Sequence, residues 1–318
     1  MSGRVVVLTG GIGGAKLVLG LTRVMPAAGI TAIVNTGDDF RHLGLWISPD
    51  IDTLLYTLSG RANRVQGWGR EDESWSFMAA LRSLGGEDWF ALGDGDLALH
   101  VLRSQALEAG RSLSDITRDF ARSWAIEAEI RPMSDEPVQT VLTTGEGELS
   151  FQGYFVERKC EPCVEAIRFA NAQGARPAPG VIEAIGDSST EAILIAPSNP
   201  YLSVDPILAV PGIREALKAA SAPVVAVTPV VGGAAVKGPT AKLMKELGIK
   251  VSPVSIAAHY EGLIDALLID EQDRGLAVPI AHAFADTLMT SLDDRERVAR
   301  AALDLAATLV KQCARTTS

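Results

Sequence analysis

Two hydrophobic periods alternate along the start of the chain. Arg4 to Thr9, "RVVVLT", is a short β-branched run closed by glycines, the pattern of a strand buried on both faces. "AKLVLGLTRVM" then places its apolar residues at helical spacing, and "GITAIVNTG" returns to a buried strand. The order strand, glycine turn, helix, strand predicts a βαβ unit with parallel strands. "SPDIDTLLYTLSG" predicts a helix start, with Ser48 as N-cap, Pro49 at the first helical position and Asp50 and Asp52 in the first turn. From about Gly60 to Arg131 the pattern is mostly helical. "VQTVLTTGEGELSFQGYFVER" alternates around Gly-Glu-Gly and predicts a β-hairpin. "EAILIAPSNP", "APVVAVTPVVGG", "GIKVSP" and "ALLIDEQD" resume the buried-strand pattern with helices between them, and a last helix is expected over roughly 292–313.

This order predicts an α/β fold: a Rossmann-like, mostly parallel sheet in a three-layer α/β/α arrangement. The whole chain, 1–318, reads as one domain carrying a mainly helical insertion with a hairpin at about 60–160. Apolar residues make up 47% and charged residues 21% of the 318, which is a globular balance. The net charge of −10 argues against general nucleic-acid binding. A phosphorylated ligand would then arrive with a cation or meet backbone N–H groups. Three cysteines, Cys160, Cys163 and Cys313, suit a reducing cytosol, and the lone Cys160-Glu-Pro-Cys163 reads as incidental thiols. No signal-peptide pattern and no apolar run near ~18 residues is present, so a cytoplasmic protein without a membrane span is expected.

The glycine turn "TGGIGGAKL" sits where an α/β sheet binds phosphate, with bare N–H groups and a helix N-terminus facing the anion. Lys16 adds a charge one turn in. The turn matches neither G-x-G-x-x-G nor a Walker A loop, so a tight turn shaped only by geometry is the competing reading. Four aspartates follow: Asp38 and Asp39 at the end of the second strand, Asp50 and Asp52 at the next helix start. With Asn35 they are expected on the same sheet edge as the glycine turn. Carboxylates this close repel unless a cation sits among them, which points to Mg²⁺ bridging to substrate phosphate. Individually each aspartate also fits a turn cap or a helix-dipole partner. Ser198 and Asn199 follow a buried strand and fit contacts to a base or ribose. Lys237, Gly238 and Thr240 lie in a second glycine-rich passage and fit phosphate contacts, and Trp68 and Trp75 fit either an aromatic wall for a flat ligand or a cover for the core. His42, His100, His259 and His282 are scattered, which excludes a zinc motif, and no G-x-S-x-G elbow occurs.

The blocks "LTGGIGGAKLVLGL", "VNTGDD", "ISPDIDTLLYTLSG", "GWGREDESW", "LGDGDLALHVLRSQAL", "RPMSDEPVQT", "APSNPYLSVDPIL" and "FADTLMTS" resemble, in order along nearly the whole chain, the 2-phospho-L-lactate transferase family of coenzyme F-420 biosynthesis. The resemblance implies an Mg²⁺-dependent transfer. A phosphorylated three-carbon acid, activated as a guanosine diphosphate conjugate, passes to the ribityl hydroxyl of the deazaflavin Fo (7,8-didemethyl-8-hydroxy-5-deazariboflavin), and GMP leaves. By similarity Gly11, Gly13, Gly14 and Lys16 approach the donor phosphates. Asp39 and Asp50 serve the metal and the chemistry, with Asn35 beside them. Asp50, Asp52 and Thr53 hold the Fo side chain, and Ser198 and Asn199 meet the guanosine. A homodimer is implied. "GGIGGAK" is closer to the bacterial form of the loop than to "GGTGTPK", so phosphoenolpyruvate, 2-phospho-L-lactate and 3-phosphoglycerate all stand as donor acids. The rival resemblance, to UDP-sugar-binding regulators of the gluconeogenesis-factor type, lacks its "DDGGSSG"-like stretch here.

Overall fold

The computed structural model describes residues 3–316 except 64, 65, 67, 236 and 237. The chain begins with β1 (Arg4–Thr9), α1 (Gly11–Val24) and β2 (Ile30–Val34), as the two periods predict. A small hairpin, β3 (Phe40–His42) and β4 (Leu45–Ile47), leads into α2 (Pro49–Leu58). Helices α3 (Ser76–Ser83), α4 (Asp94–Glu108) and α5 (Leu113–Ser123) follow, then β5 (Glu129–Pro132). Strands β6 (Gln139–Thr144), β7 (Gly147–Ser150) and β8 (Val164–Ala170) form an antiparallel sheet in the order β7-β6-β8. The second half runs α6 (Val181–Gly186), β9 (Thr190–Ile195), α7 (Asp205–Ala209), α8 (Ile213–Ala219) and β10 (Val224–Val227). It ends with β11 (Val230–Val231), β12 (Ala234–Ala235), α9 (Thr240–Glu246), α10 (Pro253–His259), β13 (Ala266–Asp270), β14 (Ala281–Ala285) and α11 (Leu292–Thr316).

The central sheet has seven strands in the order β14-β13-β10-β9-β1-β2-β5. Every neighbouring pair in it is parallel. The order reverses between β1 and β9, so the crevice beyond their carboxyl ends is where a doubly wound sheet receives its ligand. Alternation along β1 divides the core. Val5 and Val7 face a layer built from α1, α2 and α11, through Leu17, Leu54 and Val298. Val6 and Leu8 face the opposite layer, through Ile185, Leu217 and Ile256. Each of these four β1 side chains is almost completely buried, which contributes about 1.5–3 kcal/mol apiece. Close approach of α1 and α11 depends on Gly20, where a Cβ would overlap the Arg295 carbonyl oxygen. Among the described residues no helix is long and apolar enough to cross a membrane.

Four expectations change. The expected 60–160 insertion is interrupted, because β5 returns to the central sheet beside β2. The expected hairpin gains β8, whose burial pattern is mostly open and gives no apolar run to read. The stretch at 249–251 is not a strand but the approach to α10, capped by the Ser252 side chain on the Ser255 N–H. Ser48 does occupy the N-cap of α2, yet its hydroxyl donates to Asp39 at 2.7 Å instead of capping the helix.

Candidate active site

A cleft of about 970 Å³ opens at the β1/β9 switch. Gly10, Gly11 and Gly13 line it from β1–α1, and Pro197, Ser198 and Asn199 line it from the end of β9. The two turns pack tightly. A Cβ on Gly13 would come within 2.7 Å of the Pro197 carbonyl oxygen, so glycine is required there for contact rather than conformation. Gly11, with φ +63°, has the left-handed backbone that glycine tolerates, and its outer face is open. Helix α1 starts here with no acidic residue in its own first turn and no side-chain cap, and a helix N-terminus of this kind favours an anion.

Asp50 binds this turn directly. Its Oδ1 accepts from the Gly11 N–H at 2.7 Å, and its Oδ2 accepts from Asn35 Nδ2 at 2.9 Å. Asn35 is held in turn: its Oδ1 accepts from the Gly37 N–H at 2.8 Å, so Asn35 caps the turn expected of Asp38 or Asp39. Burial pushes the Asp50 carboxyl up to about 6, the Asn35 and Gly11 bonds oppose the rise, and the Asp52 charge adds to it. Asp38 also lines the cleft, and its Oδ1 is buried with no partner. Burial, then the Asp50 charge, holds its carboxyl well above the usual range.

Asp39 and Asp52 are differently placed. Asp39 is not among the cleft-lining residues. Its Oδ2 accepts from Ser48 at 2.7 Å and from Trp46 Nε1 at 3.3 Å. Burial raises its carboxyl, against the Ser48 bond and the Arg103 charge. Asp52 and Thr53 do line the cleft. Asp52 is paired through both carboxylate oxygens with the buried guanidinium of Arg103 on α4. Sequence reading missed this cation, because α4 brings it from 51 residues along the chain. The structure therefore divides the four aspartates into two sets. Asp39 and Asp52 answer to Arg103, whereas Asp38 and Asp50 share the cleft wall with the glycine turn and Lys16.

Lys16 lines the cleft, with its Nζ donating to the Met289 carbonyl at 2.5 Å. Gly14 is not a lining residue; its bare face packs on Thr9 and Ser198. Ser198 uses its hydroxyl to bridge the Gly10 backbone, donating to the carbonyl at 2.7 Å and accepting from the N–H at 3.2 Å. Asn199 Oδ1 accepts from the Tyr201 and Leu202 N–H groups, while its Nδ2 is a buried donor without a partner. Gly238 and Thr240 line the cleft, and Lys237 lies outside the described residues. Trp68 lines it and is half exposed, but Trp75 does not. Trp89 and Phe90, which pack edge-on to each other, also line the cleft, as do Phe151 and Phe155, which stack on one another. No sequence motif marked those four. Among the described residues no three metal-ligating side chains converge.

Fold and cleft together define a doubly wound α/β protein whose cleft brings together a glycine turn at a helix N-terminus, buried aspartates and an aromatic wall. The family described as 2-phospho-L-lactate transferase CofD matches residues 5–306, and the chain belongs to it. A phosphoenolpyruvate transferase of Streptomyces griseus is 43% identical over 314 residues, covering 95% of this chain and 98% of the relative. One from Kitasatospora aureofaciens is 44% identical over 315 residues, with the same two coverages. A 2-phospho-L-lactate transferase of Methanosarcina mazei is 39% identical over 299 residues, covering 92% and 97%. In fold the chain is similar to a crystal structure of a UPF0052 family member from Bacillus halodurans, with TM-score 0.62, 18% identity, and coverage of 95% and 100%.

Proposed function

We propose that this transferase moves an enolpyruvyl phosphate group from a guanosine diphosphate conjugate to the ribityl hydroxyl of Fo, with Mg²⁺, releasing GMP. The observation that carries the reading is the Asp38–Asp50 wall. Two buried carboxylates, Asp38 with one oxygen lacking a hydrogen-bond partner, stand in the cleft beside the N-terminus of α1, the kind of place where phosphate binds. The residues fit Mg²⁺, which takes one or two carboxylates and completes its shell with water and substrate phosphate. Asp50 and Asp38, which line the cleft, would hold it; Asp39, expected in that role from the sequence, is not a lining residue and has one of its two oxygens on Ser48 and Trp46. Bound there, the ion would neutralise charge on the transferring phosphoryl group.

The chain's own groups do the remaining work. The N–H groups of Ile12 and Gly13, with Lys16, hold the donor phosphates. Asn199 Nδ2 is a donor waiting for an acceptor on the guanosine side. Trp68, Trp89 and Phe90 hold the flat deazaflavin, and Asp52 and Thr53 hold its side chain. The hydroxyl oxygen forms a bond to the phosphorus bearing the acid, and the bond from that phosphorus to GMP breaks. The hydroxyl proton passes to Asp50, which the Gly11 and Asn35 hydrogen bonds hold in the cleft wall. Phosphoenolpyruvate is favoured over 2-phospho-L-lactate because the Streptomyces and Kitasatospora relatives at 43–44% identity carry that name. The free Cys160 and Cys163 suit a cytoplasmic enzyme, and the family resemblance supports a homodimer. The test is purified protein with Fo, Mg²⁺ and each activated acid, followed by GMP release and product mass. Release with the enolpyruvyl donor is expected; release with the lactyl donor alone would reassign the acid.

A further inference from the structure

Asp52, Tyr56, Asp96 and His100 all open onto the cleft, and the residue joining them from behind, Arg103, does not. Arg103 is completely buried. Its Nη1 donates to Asp52 Oδ2 at 3.1 Å and its Nη2 donates to Asp52 Oδ1, a two-pronged grip on the carboxylate. Nη1 also stands 3.4 Å from His100 Nδ1. His100 Nε2 lies 3.1 Å from Asp96 Oδ2, and the Tyr56 hydroxyl donates to Asp96 Oδ1. Helix spacing produces the array: Asp52 and Tyr56 are one turn apart on α2, Asp96 and His100 one turn apart on α4.

This arrangement is a poor way to gain stability. Burying an ion pair costs desolvation, and apolar residues of similar volume are often as stable or more so. Arg103 Nε is buried without a partner, and the guanidinium lies only 5.9 Å from the Phe120 ring centroid, so apolar company was at hand. What a guanidinium fork supplies, and an apolar or lysine side chain does not, is direction: it fixes the plane of the carboxylate.

We propose that Arg103 is a positioning residue that holds the Asp52 carboxylate in the orientation that receives the acceptor's side-chain hydroxyls. It also answers the charge of Asp52 and Asp39, leaving Asp38 and Asp50 to a cation that arrives with the donor. The inference rests on the functional reading above.

The test is Arg103→Lys, which keeps the charge and loses the fork, with donor and acceptor varied separately and rates expressed per folded site. Acceptor kcat/KM should fall about 100-fold, the scale of a misplaced reacting group, while donor KM holds. Unchanged acceptor kinetics per folded site, with only a lower Tm, would overturn the inference. Should Arg103→Lys not fold, Asp52→Asn is compared with Asp52→Asn/Arg103→Gln, which removes both charges together. If Arg103 acts through Asp52, the double variant is no worse than the single in acceptor kcat/KM. A further tenfold fall would overturn it. Wild-type protein that transfers to no deazaflavin would remove the functional reading and the inference together. Wild-type transfer with an unaffected Arg103→Lys would remove the inference alone.

Discussion

Replacing Asp50 with asparagine separates what the carboxylate does for chemistry from what it does for the fold. Burial, opposed by the Asn35 and Gly11 bonds, holds the carboxyl near 6 instead of 3.8. At neutral pH that displacement costs the native state about 3 kcal/mol. Asparagine removes the cost but gives up one of the two hydrogen bonds to a charged oxygen, about 1.5–3 kcal/mol. In metal-free buffer at pH 7.5 the variant should therefore be as stable as wild type or up to about 1.5 kcal/mol more so. The corresponding Tm change is between zero and about +2 °C. The sign follows from the raised folded value: wild type bears the full cost above about 6 and loses it as pH falls toward 3.8. The variant's advantage should fade over that window. Activity moves the other way, falling about 10²–10⁴-fold, the range for a lost general base or charge-stabilising group. Thermal melts at pH 7.5 and 4.5 beside GMP-release assays read both quantities. A variant several degrees less stable at both pH values would make Asp50 a structural cap and refute the reasoning, as would wild-type turnover.

Chelation by EDTA should stop turnover and Mg²⁺ should restore it; full activity in metal-free buffer would contradict the assignment of Asp38 and Asp50. Lys16→Ala should raise donor KM about tenfold or more and leave acceptor KM unchanged, since Lys16 stands beside the phosphate turn; equal losses in both would move it elsewhere. Gly13→Ala should cut activity sharply, because the new Cβ would sit 2.7 Å from the Pro197 carbonyl and push the two cleft turns apart. Gly20→Ala should instead cost about 1–3 kcal/mol of stability, read as a lowered Tm, through overpacking against Arg295.

Local patterns carried much of this architecture into view. The apolar runs of β1, β2, β9 and β13 are continuous because both faces are buried, and so they stand out. β8 and β14 lie at sheet edges with open or half-open positions, and their composition gives no such signal. The glycine turn and the aspartates were legible because they cluster in sequence. Their division was not. Arg103, which answers Asp52 and Asp39, is set by how α4 packs against β4 and α5, a tertiary fact with no short-range trace. Four neighbouring carboxylates do call for positive charge, and Arg103 supplies it to two of them. The same limit hid Trp89 and Phe90, whose place on the cleft wall depends on the loop between α3 and α4.

The most direct test of the central claim is a titration of the purified protein with Fo, followed by the deazaflavin's own fluorescence, with and without Mg²⁺ and GMP. The account predicts saturable Fo binding by wild type, weakened in Asp52→Asn. Absence of Fo binding under every condition, with a UDP-sugar bound in its place, would contradict it.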